Sequence, residues 1–284
     1  MRGARPRTPH ASEIVTVFMP DVKTFLEQQF SLEGKTALVT GASGGIGRAL
    51  ALALARAGAL VGINGRSRER LDETAVQIEA AGGRSVRLSA ELSDVEQCRE
   101  LVDRTVEALG GIDILVNTAG MNRRAPVESV SQDDFDTIIA TNLRSAFFLS
   151  QAAYPQMKAR GGGKIVHVGS VTSSYGLGGV GVYGMSKSAL AHLTKTMAVE
   201  WARDNIQVNC LAPGFILTPL TEAPIWGDET RRTWLLGRIP ASRPGNAEEL
   251  VAALLLLVAP GSSYLSGQTL YVDGGFVAGG WWQQ

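Results

Sequence analysis

Tyr183-Gly-Met-Ser-Lys187 opens a pattern that reads as a helix, continuing through Ala189, Leu190, Leu193, Met197 and Val199 to Trp201, with Ser170 upstream of it. Residues four apart share one helical face, so the phenol of Tyr183 and the ammonium of Lys187 should point the same way. A phenol titrates near pH ~10 and is a poor base at neutrality. A neighbouring cation favours the phenolate and lowers that value, which makes proton exchange with an alcohol or a carbonyl feasible. Taken alone, the pair reads more simply as an exposed tyrosine beside a solvated lysine, and the rest of the chain has to decide.

A second chemical stretch is Thr40-Gly-Ala-Ser-Gly-Gly-Ile-Gly47, between an apolar strand candidate, Thr36–Thr40, and an alanine- and leucine-rich helix pattern, Ile46–Ala57. Gly41, Gly45 and Gly47 allow a tight turn and a close approach of backbone to a pyrophosphate, and the helix N-terminus adds N–H groups and a positive dipole end. Dinucleotide binding is the expected role. The end of the second strand, Asn64-Gly-Arg-Ser67, should meet the adenosine ribose. An acid there takes a 2′-hydroxyl, whereas an arginine accommodates a 2′-phosphate. No acid appears before Glu69, and Arg66 has Arg68 close by, so NADP(H) is favoured, with NAD(H) the alternative.

Positioning these loops requires a regular frame. Strand candidates at Thr36–Thr40, Leu60–Asn64, Ser85–Ser89, Ile114–Asn117, Lys164–Val168, Ile206–Leu211 and Thr269–Val272 alternate with helix patterns. The helices are Ile46–Ala57, Glu69–Ala81, a run from an Asp94 cap to Leu109, about Gln132–Lys158, the Tyr183 helix and Ala247–Val258, with a less regular span before Pro244. Strands that are apolar along their whole length and separated by helices mean a parallel sheet covered on both faces. Right-handed crossovers then give a single-domain α/β fold, a Rossmann-like, doubly wound parallel sheet of about seven strands. Residues 1–30 read as an N-terminal extension, flexible and basic at its start, and 31–284 as one dinucleotide-binding oxidoreductase domain. An Arg-rich transit segment or a natural start at Met19 are the other readings of the extension.

Composition narrows the classes. Among 284 residues, 27 Lys and Arg balance 27 Asp and Glu, so nothing pulls the chain toward nucleic acid or an anionic membrane. No stretch reaches the ~20 apolar residues of a membrane span, and Leu250–Ala259 is better read as a buried helix. Cys98 and Cys210 have neither paired nor metal-ligand spacing, and His10, His167 and His192 are scattered. These features fit core cysteines in a reducing, cytoplasmic setting and no metal site.

With the glycine loop, Ser170, Tyr183 and Lys187 in one chain, the sequence resembles the short-chain dehydrogenase/reductase family from about Leu32 to Gly275. The other motifs follow in the family's order: Asn117-Thr-Ala-Gly120, Asn142, Ser170 thirteen positions before Tyr183, Pro213-Gly214 with Thr218, and Asp273-Gly-Gly275. Two positions depart from the family pattern, Thr118 and Glu91, and the latter puts an adenine contact in doubt. The resemblance implies hydride transfer between nicotinamide and an alcohol or ketone carbon. Tyr183 would be the general acid/base, Lys187 would lower its pKa and hold the nicotinamide ribose, Ser170 would hydrogen-bond the substrate oxygen, and Asn142 would hold a water for proton relay. Thr172 and Ser173 compete with Ser170, which the spacing favours. Cofactor contacts would come from Gly41, Ser43, Gly45, Ile46, Gly47, Arg66, Glu91, Leu92, Asn117, Ala119, Gly120, Tyr183, Lys187, Pro213, Gly214, Ile216 and Thr218. A homotetramer is implied too, and the Trp281-Trp282 pair is expected to pack against a neighbouring subunit.

Substrate contacts should come from loops beyond the carboxyl ends of the strands: Met121–Val127, Val171–Val182 and Phe215–Arg243. Candidates are Arg123, Arg124, Thr172 and Trp226, since a guanidinium holds a carboxylate with two parallel hydrogen bonds. Of the two adjacent arginines, only one can readily point inward. The runs Met121–Pro126 and Trp234–Pro240 resemble the gluconate 5-dehydrogenase branch, which implies a small-molecule sugar acid or polyol such as gluconate or 5-ketogluconate. A different carbonyl, either a β-ketoacyl thioester or a hydrophobic ketone, is the runner-up. A non-catalytic NADP sensor on the same fold is the third reading.

Overall fold

The computed structural model describes residues 21–219 and 221–280. In chain order the elements are α1 (Val22–Phe30), β1 (Thr36–Val39), α2 (Gly45–Arg56), β2 (Leu60–Gly65), α3 (Arg68–Ala80), β3 (Arg84–Ser89), α4 (Val95–Leu109) and β4 (Ile114–Asn117). They continue with α5 (Gln132–Ile139), α6 (Ser145–Ala159), β5 (Gly163–Val168), α7 (Gly181–Trp201), β6 (Ile206–Pro213), β7 (Ile216–Leu217), α8 (Glu229–Leu236), β8 (Gly245–Asn246), α9 (Val251–Val258) and β9 (Thr269–Val272). Seven strands form one parallel sheet in the order β3-β2-β1-β4-β5-β6-β9, and β7 pairs with β8 separately. The strand order reverses between β1 and β4, the crevice where ligands bind in open sheets of this kind.

Each strand serves both faces, because successive side chains point to opposite sides. Ala37 and Val39, Ile114 and Val116, and Val166 and Val168 pack with α2, α3 and α9. Between them, Leu38, Leu115 and Ile165 pack with α4, α6 and α7. This two-sided burial is why the central strands carry no polar alternation, whereas the edge strand β3, Arg-Ser-Val-Arg-Leu-Ser, buries only Leu88. Cys98 and Cys210 are free and fully buried among these layers. A third apolar cluster of Val171, Ile225, Trp226, Leu235, Ile239 and Phe276 sits beyond the strand ends and builds a small lobe from what reads as an irregular span.

Three elements differ from the sequence reading. The long helix expected over Gln132–Lys158 is broken by a π-helical turn at Ala140–Arg144. The span before Pro244 contains α8 and another π-turn at Glu222–Trp226. Within the extension, Val22–Phe30 is a regular helix capped by Asp21, whose carboxylate accepts from the Lys23 and Thr24 amides. Residues 1–20 and the Trp281-Trp282 pair lie outside the described residues.

Candidate active site

The catalytic candidates meet at the carboxyl ends of β4 and β5. Ser170 follows β5 and caps a short 3-10 turn: its Oγ accepts from the Thr172 amide at 3.2 Å, and its own amide donates to Ser173 Oγ at 3.3 Å. Ser173 Oγ in turn donates to the Lys187 carbonyl at 2.9 Å. Ser173 is therefore committed to the scaffold, and Ser170 is the hydroxyl close enough to Tyr183 to act on its phenol. Thr172 Oγ1 is buried without a partner among the described residues.

Lys187 is 3% exposed, and its Nζ donates to the Val168 carbonyl at 2.7 Å while lying 5.6 Å from the centre of the Tyr183 ring. The shared helical face is thus as expected, but the electrostatics differ. Burial raises the Tyr183 pKa above the ordinary phenol value; the Ser170 hydrogen bond and the charge of Arg124 oppose it, and Lys187 is not among the influences. Desolvation pushes Lys187 itself down to about 8. Removing a phenolate from water costs more than a lysine aimed at a backbone carbonyl returns.

Asn142 lies in the π-turn and is 1% exposed. Its Oδ1 accepts from the Met121 amide at 2.8 Å, and its Nδ2 donates to the Met121 carbonyl at 2.9 Å and to Ser186 Oγ at 3.1 Å. It anchors the loop after β4 rather than standing free. A methyl group built on Gly120 would lie 3.3 Å from Lys187 Nζ and 3.4 Å from Asn142 Oδ1, so both groups flank one small space at that glycine. Below, Asn117 Nδ2 contacts Ser150 Oγ and His167 Nδ1, each at 3.2 Å. His167 is fully buried, with a pKa pushed to about 4 by desolvation and the Lys187 charge.

The glycine loop fits a nucleotide. Gly41 (φ +65) leaves no room for a side chain, since a Cβ would stand 2.9 Å from Ala119 Cα, and a Cβ on Gly47 would meet the Gly41 carbonyl at 2.2 Å. Gly45 has φ +53 and faces Thr218, whose Cβ a methyl there would approach to 3.6 Å. Helix α2 has no side-chain cap and no acid in its first turn, so its end keeps backbone N–H groups for an anion. Residues the sequence reading missed hold this loop. Thr40 Oγ1 accepts from the Thr118 and Ala119 amides at 3.0 and 3.1 Å, and Thr74 Oγ1 donates to the Ala42 carbonyl at 2.9 Å. Arg48 donates to the Ser43 carbonyl at 3.0 Å and to Thr74 Oγ1 at 2.9 Å.

Arg66 and Glu91 face each other across 4.0 Å at the ends of β2 and β3, and Glu91 also accepts from Ser93. Ser43 packs under Gly65, Leu92 and Ile216 are buried, and the Gly214 amide donates to the Val272 carbonyl at 2.9 Å beside Pro213, the last residue of β6. Ile46 is half-buried against the core.

The two adjacent arginines are resolved. Arg123 pairs with Asp133 and Asp134 at 3.1 and 2.6 Å. Arg124 makes no ion pair among the described residues. It precedes Ala125, which bridges Val180 at the entry to α7, and its charge and that of Tyr183 influence each other. Trp226 is 9% exposed, and its indole Nε1 has no partner among the described residues. Arg238 is occupied by the Trp234 ring at 5.0 Å and by Tyr175 Oη at 3.3 Å.

A family model described as enoyl-(acyl carrier protein) reductase matches residues 41–277. Gluconate 5-dehydrogenase of Gluconobacter oxydans is 44% identical, over 87% of this chain and 96% of its own. 2-Dehydro-3-deoxy-D-gluconate 5-dehydrogenase of Escherichia coli is 43% identical, over 88% of this chain and 98% of its own. A crystal structure of gluconate 5-dehydrogenase from Burkholderia cenocepacia, in complex with NADP and tartrate, superposes with a TM-score of 0.85 at 38% identity, covering 89% of this chain and 99% of that one. The chain belongs to the short-chain dehydrogenase/reductase family. It is an NAD(P)-dependent oxidoreductase that acts on CH–OH and C=O groups.

Proposed function

We propose that the protein interconverts a secondary hydroxyl and a ketone on a sugar acid or polyol, such as gluconate and 5-ketogluconate, with NADP(H) preferred over NAD(H). The observation that carries the substrate class is Arg124, a guanidinium whose charge acts on Tyr183 and which has no carboxylate partner among the described residues, while its neighbour Arg123 is paired with Asp133 and Asp134. The relatives named above act on, or are named for, sugar acids, which agrees with a carboxylate at Arg124. Arg66 at the end of β2 supports the cofactor preference, as does the NADP in the Burkholderia structure.

The nicotinamide dinucleotide supplies the two-electron hydride acceptor or donor when bound. Gly41, Ser43, Gly45, Ile46, Gly47 and Thr218 would hold its phosphates, and Asn117, Ala119, Gly120, Pro213, Gly214 and Ile216 would line its course. Ser170 holds the reacting oxygen, and Tyr183 removes the hydroxyl proton in oxidation and returns it in reduction. Acid–base placement of this kind is worth ~10²–10⁴-fold in rate. Lys187, whose pKa burial lowers to about 8, passes the proton on past Asn142 at the Gly120 opening. Thr172 Oγ1 and Trp226 Nε1, both buried and unpartnered, are donors for further hydroxyls of a polyhydroxy chain.

An absorbance screen at 340 nm, with both reduced cofactors against keto-sugar acids, sugars, ketoacyl esters and simple ketones, tests this. Turnover of ketoacyl esters with none of keto-sugar acids would refute the substrate class. Tyr183→Phe should abolish turnover while NADPH binding persists, which separates an enzyme from a nucleotide sensor.

We also infer a cytoplasmic homotetramer. Among the described residues no helix is long and apolar enough to cross a membrane. Phe147 is exposed at an apolar groove of about 370 Å³ bordered by Leu143, Phe148 and Leu193, Phe135 and Met185 are exposed on α5 and α7, and Leu256 and Tyr264 are exposed on α9 and in the segment after it. Apolar faces of this extent favour association with further copies. Light scattering that returns a monomer would refute the assembly.

A further inference from the structure

Backbone conformation or close approach accounts for Gly41, Gly45 and Gly47, but not for Gly44. Its φ of 169° is extended backbone that any residue adopts. A Cβ built there would meet no main chain, only the guanidinium of Arg70: Nη2 at 2.6 Å, Cζ at 3.6 Å and Nε at 4.0 Å. The space a side chain would fill is thus taken by an arginine of α3, laid against the residue that caps α2.

The main chain of Arg70 is bolted to the glycine loop. Arg48 Nη2 donates to the Ser43 carbonyl at 3.0 Å and to the Arg70 carbonyl at 3.3 Å. Thr74 Oγ1 lies 3.0 Å from the Arg70 carbonyl and 2.9 Å from that of Ala42. The Arg70 amide donates to Ser67 Oγ at 3.3 Å, which caps α3. Ser43, beside Gly44, packs under Gly65, where a Cβ would stand 2.9 Å from Ser43 Cβ, and Arg66 follows Gly65. Arg70 therefore stands at the junction of the loop with the end of β2, where the 2′-position of an adenosine ribose is read in sheets of this kind.

The charges there are unequal. Arg48 is answered by Glu73 at 2.7 Å, and Arg66 faces Glu91 at 4.0 Å. The Arg70 guanidinium has neither an ion pair nor a hydrogen bond among the described residues. It lies at the N-terminal end of α2, which has no side-chain cap and no acid in its first turn. A cation at the positive end of a helix dipole is unfavourable, and an anion between them reverses the sign.

We propose that Arg70 is a specificity-determining residue for the cofactor: its guanidinium, admitted by the missing side chain of Gly44, takes the ribose 2′-phosphate of NADP(H), alongside Arg66, whose charge Glu91 already shares. The ligand class is a phosphomonoester on an adenosine ribose, a group that a guanidinium holds with directional, charge-assisted hydrogen bonds. The proposal rests on the NADP(H) preference given above and names a residue that supplies it.

Adenosine 2′,5′-bisphosphate and 5′-AMP differ only by the 2′-phosphate, so calorimetric titration of the nucleotide-free protein with each reads that one group without turnover. Arg70→Gln should weaken the bisphosphate about tenfold, as expected for one charge-assisted contact, and leave 5′-AMP unchanged. Arg56→Gln removes one charge from an exposed residue at the far end of α2 and should change neither. Bisphosphate binding indifferent to Arg70→Gln, an equal loss for 5′-AMP, or an equal loss in Arg56→Gln would overturn the assignment. Gly44→Ala displaces the guanidinium, so it should weaken the bisphosphate in the unsubstituted protein and add nothing in the Arg70→Gln background. No loss, or a loss that persists there, would overturn the role given to Gly44. Equal affinity of the unsubstituted protein for the two nucleotides would defeat the NADP(H) preference, and this assignment with it. A preference for the bisphosphate that survives Arg70→Gln would leave NADP(H) standing and defeat the assignment alone.

Discussion

Asn142→Ala isolates what the π-turn does. The side chain makes two hydrogen bonds to the Met121 backbone, at 2.8 and 2.9 Å, and a third to Ser186 Oγ at 3.1 Å, from a position 1% exposed. Each lost bond is worth ~1 kcal/mol net, and a backbone group left without a partner away from water adds ~1–3 kcal/mol. Met121 is half-buried, so water recovers part of that penalty, and a total of about 2–4 kcal/mol follows. For a domain of this size that is a fall in Tm of roughly 5–12 °C. The kinetic consequence is more specific. Met121 begins the loop that carries Arg124, so its release should raise KM for a carboxylate substrate more than for a neutral polyol, in addition to any loss of kcat from the relay. Thermal unfolding followed by steady-state kinetics on both substrate types reads the two effects separately. A variant that melts with the unsubstituted protein and shows an unchanged KM ratio would mean that Asn142 does not hold the loop, and the link from π-turn to substrate rim would fail.

Lys187 makes stability depend on pH. Its pKa is depressed to about 8 from 10.5, so the unfolded chain binds the extra proton across that window and stability should rise with pH through it. The charged, desolvated ammonium costs about 3 kcal/mol at neutrality. Lys164 behaves the same way, so the difference between denaturation curves of the unsubstituted protein and Lys187→Met isolates the contribution; parallel curves would refute it. Gly41→Ala forces a Cβ to 2.9 Å from Ala119 Cα at φ +65, at a cost of at least about 1–2 kcal/mol; fluorescence titration should show NADPH binding lost with it. Arg66→Ala should weaken NADPH about tenfold and leave NADH nearly unchanged, as measured by the ratio of the two kcat/KM values.

How much the sequence discloses follows from which physical quantity each feature depends on. The strands are legible because two-sided burial demands unbroken apolar runs, and Ile114–Asn117 and Thr269–Val272 coincide with the observed β4 and β9. The glycine loop is legible because backbone conformation and close approach exclude other residues at Gly41 and Gly47. The π-turn is not, since Ala140–Arg144 carries neither glycine nor proline, and the extra residue is paid for by tertiary bonds from Asn142. Likewise Asn122-Arg-Arg-Ala offers two identical side chains, and only the Asp133–Asp134 turn decides that Arg123 is the one held outside.

The Tyr183–Lys187 pair shows the same division most sharply. Spacing fixes direction, and it places the two on one face. Depth is a property of the whole fold, and depth sets the sign of the shift at each group. Burial moves Tyr183 up from 10.0 and Lys187 down from 10.5 to about 8, so two groups of nearly equal ordinary proton affinity are drawn apart, with the lysine the weaker holder. The phenol therefore keeps its proton at neutrality while Lys187 gives up its own more readily, an ordering set by depth rather than by spacing. The buried frame of Asn117, His167 and Val168 around Lys187 is the desolvating surround that helical spacing alone does not disclose.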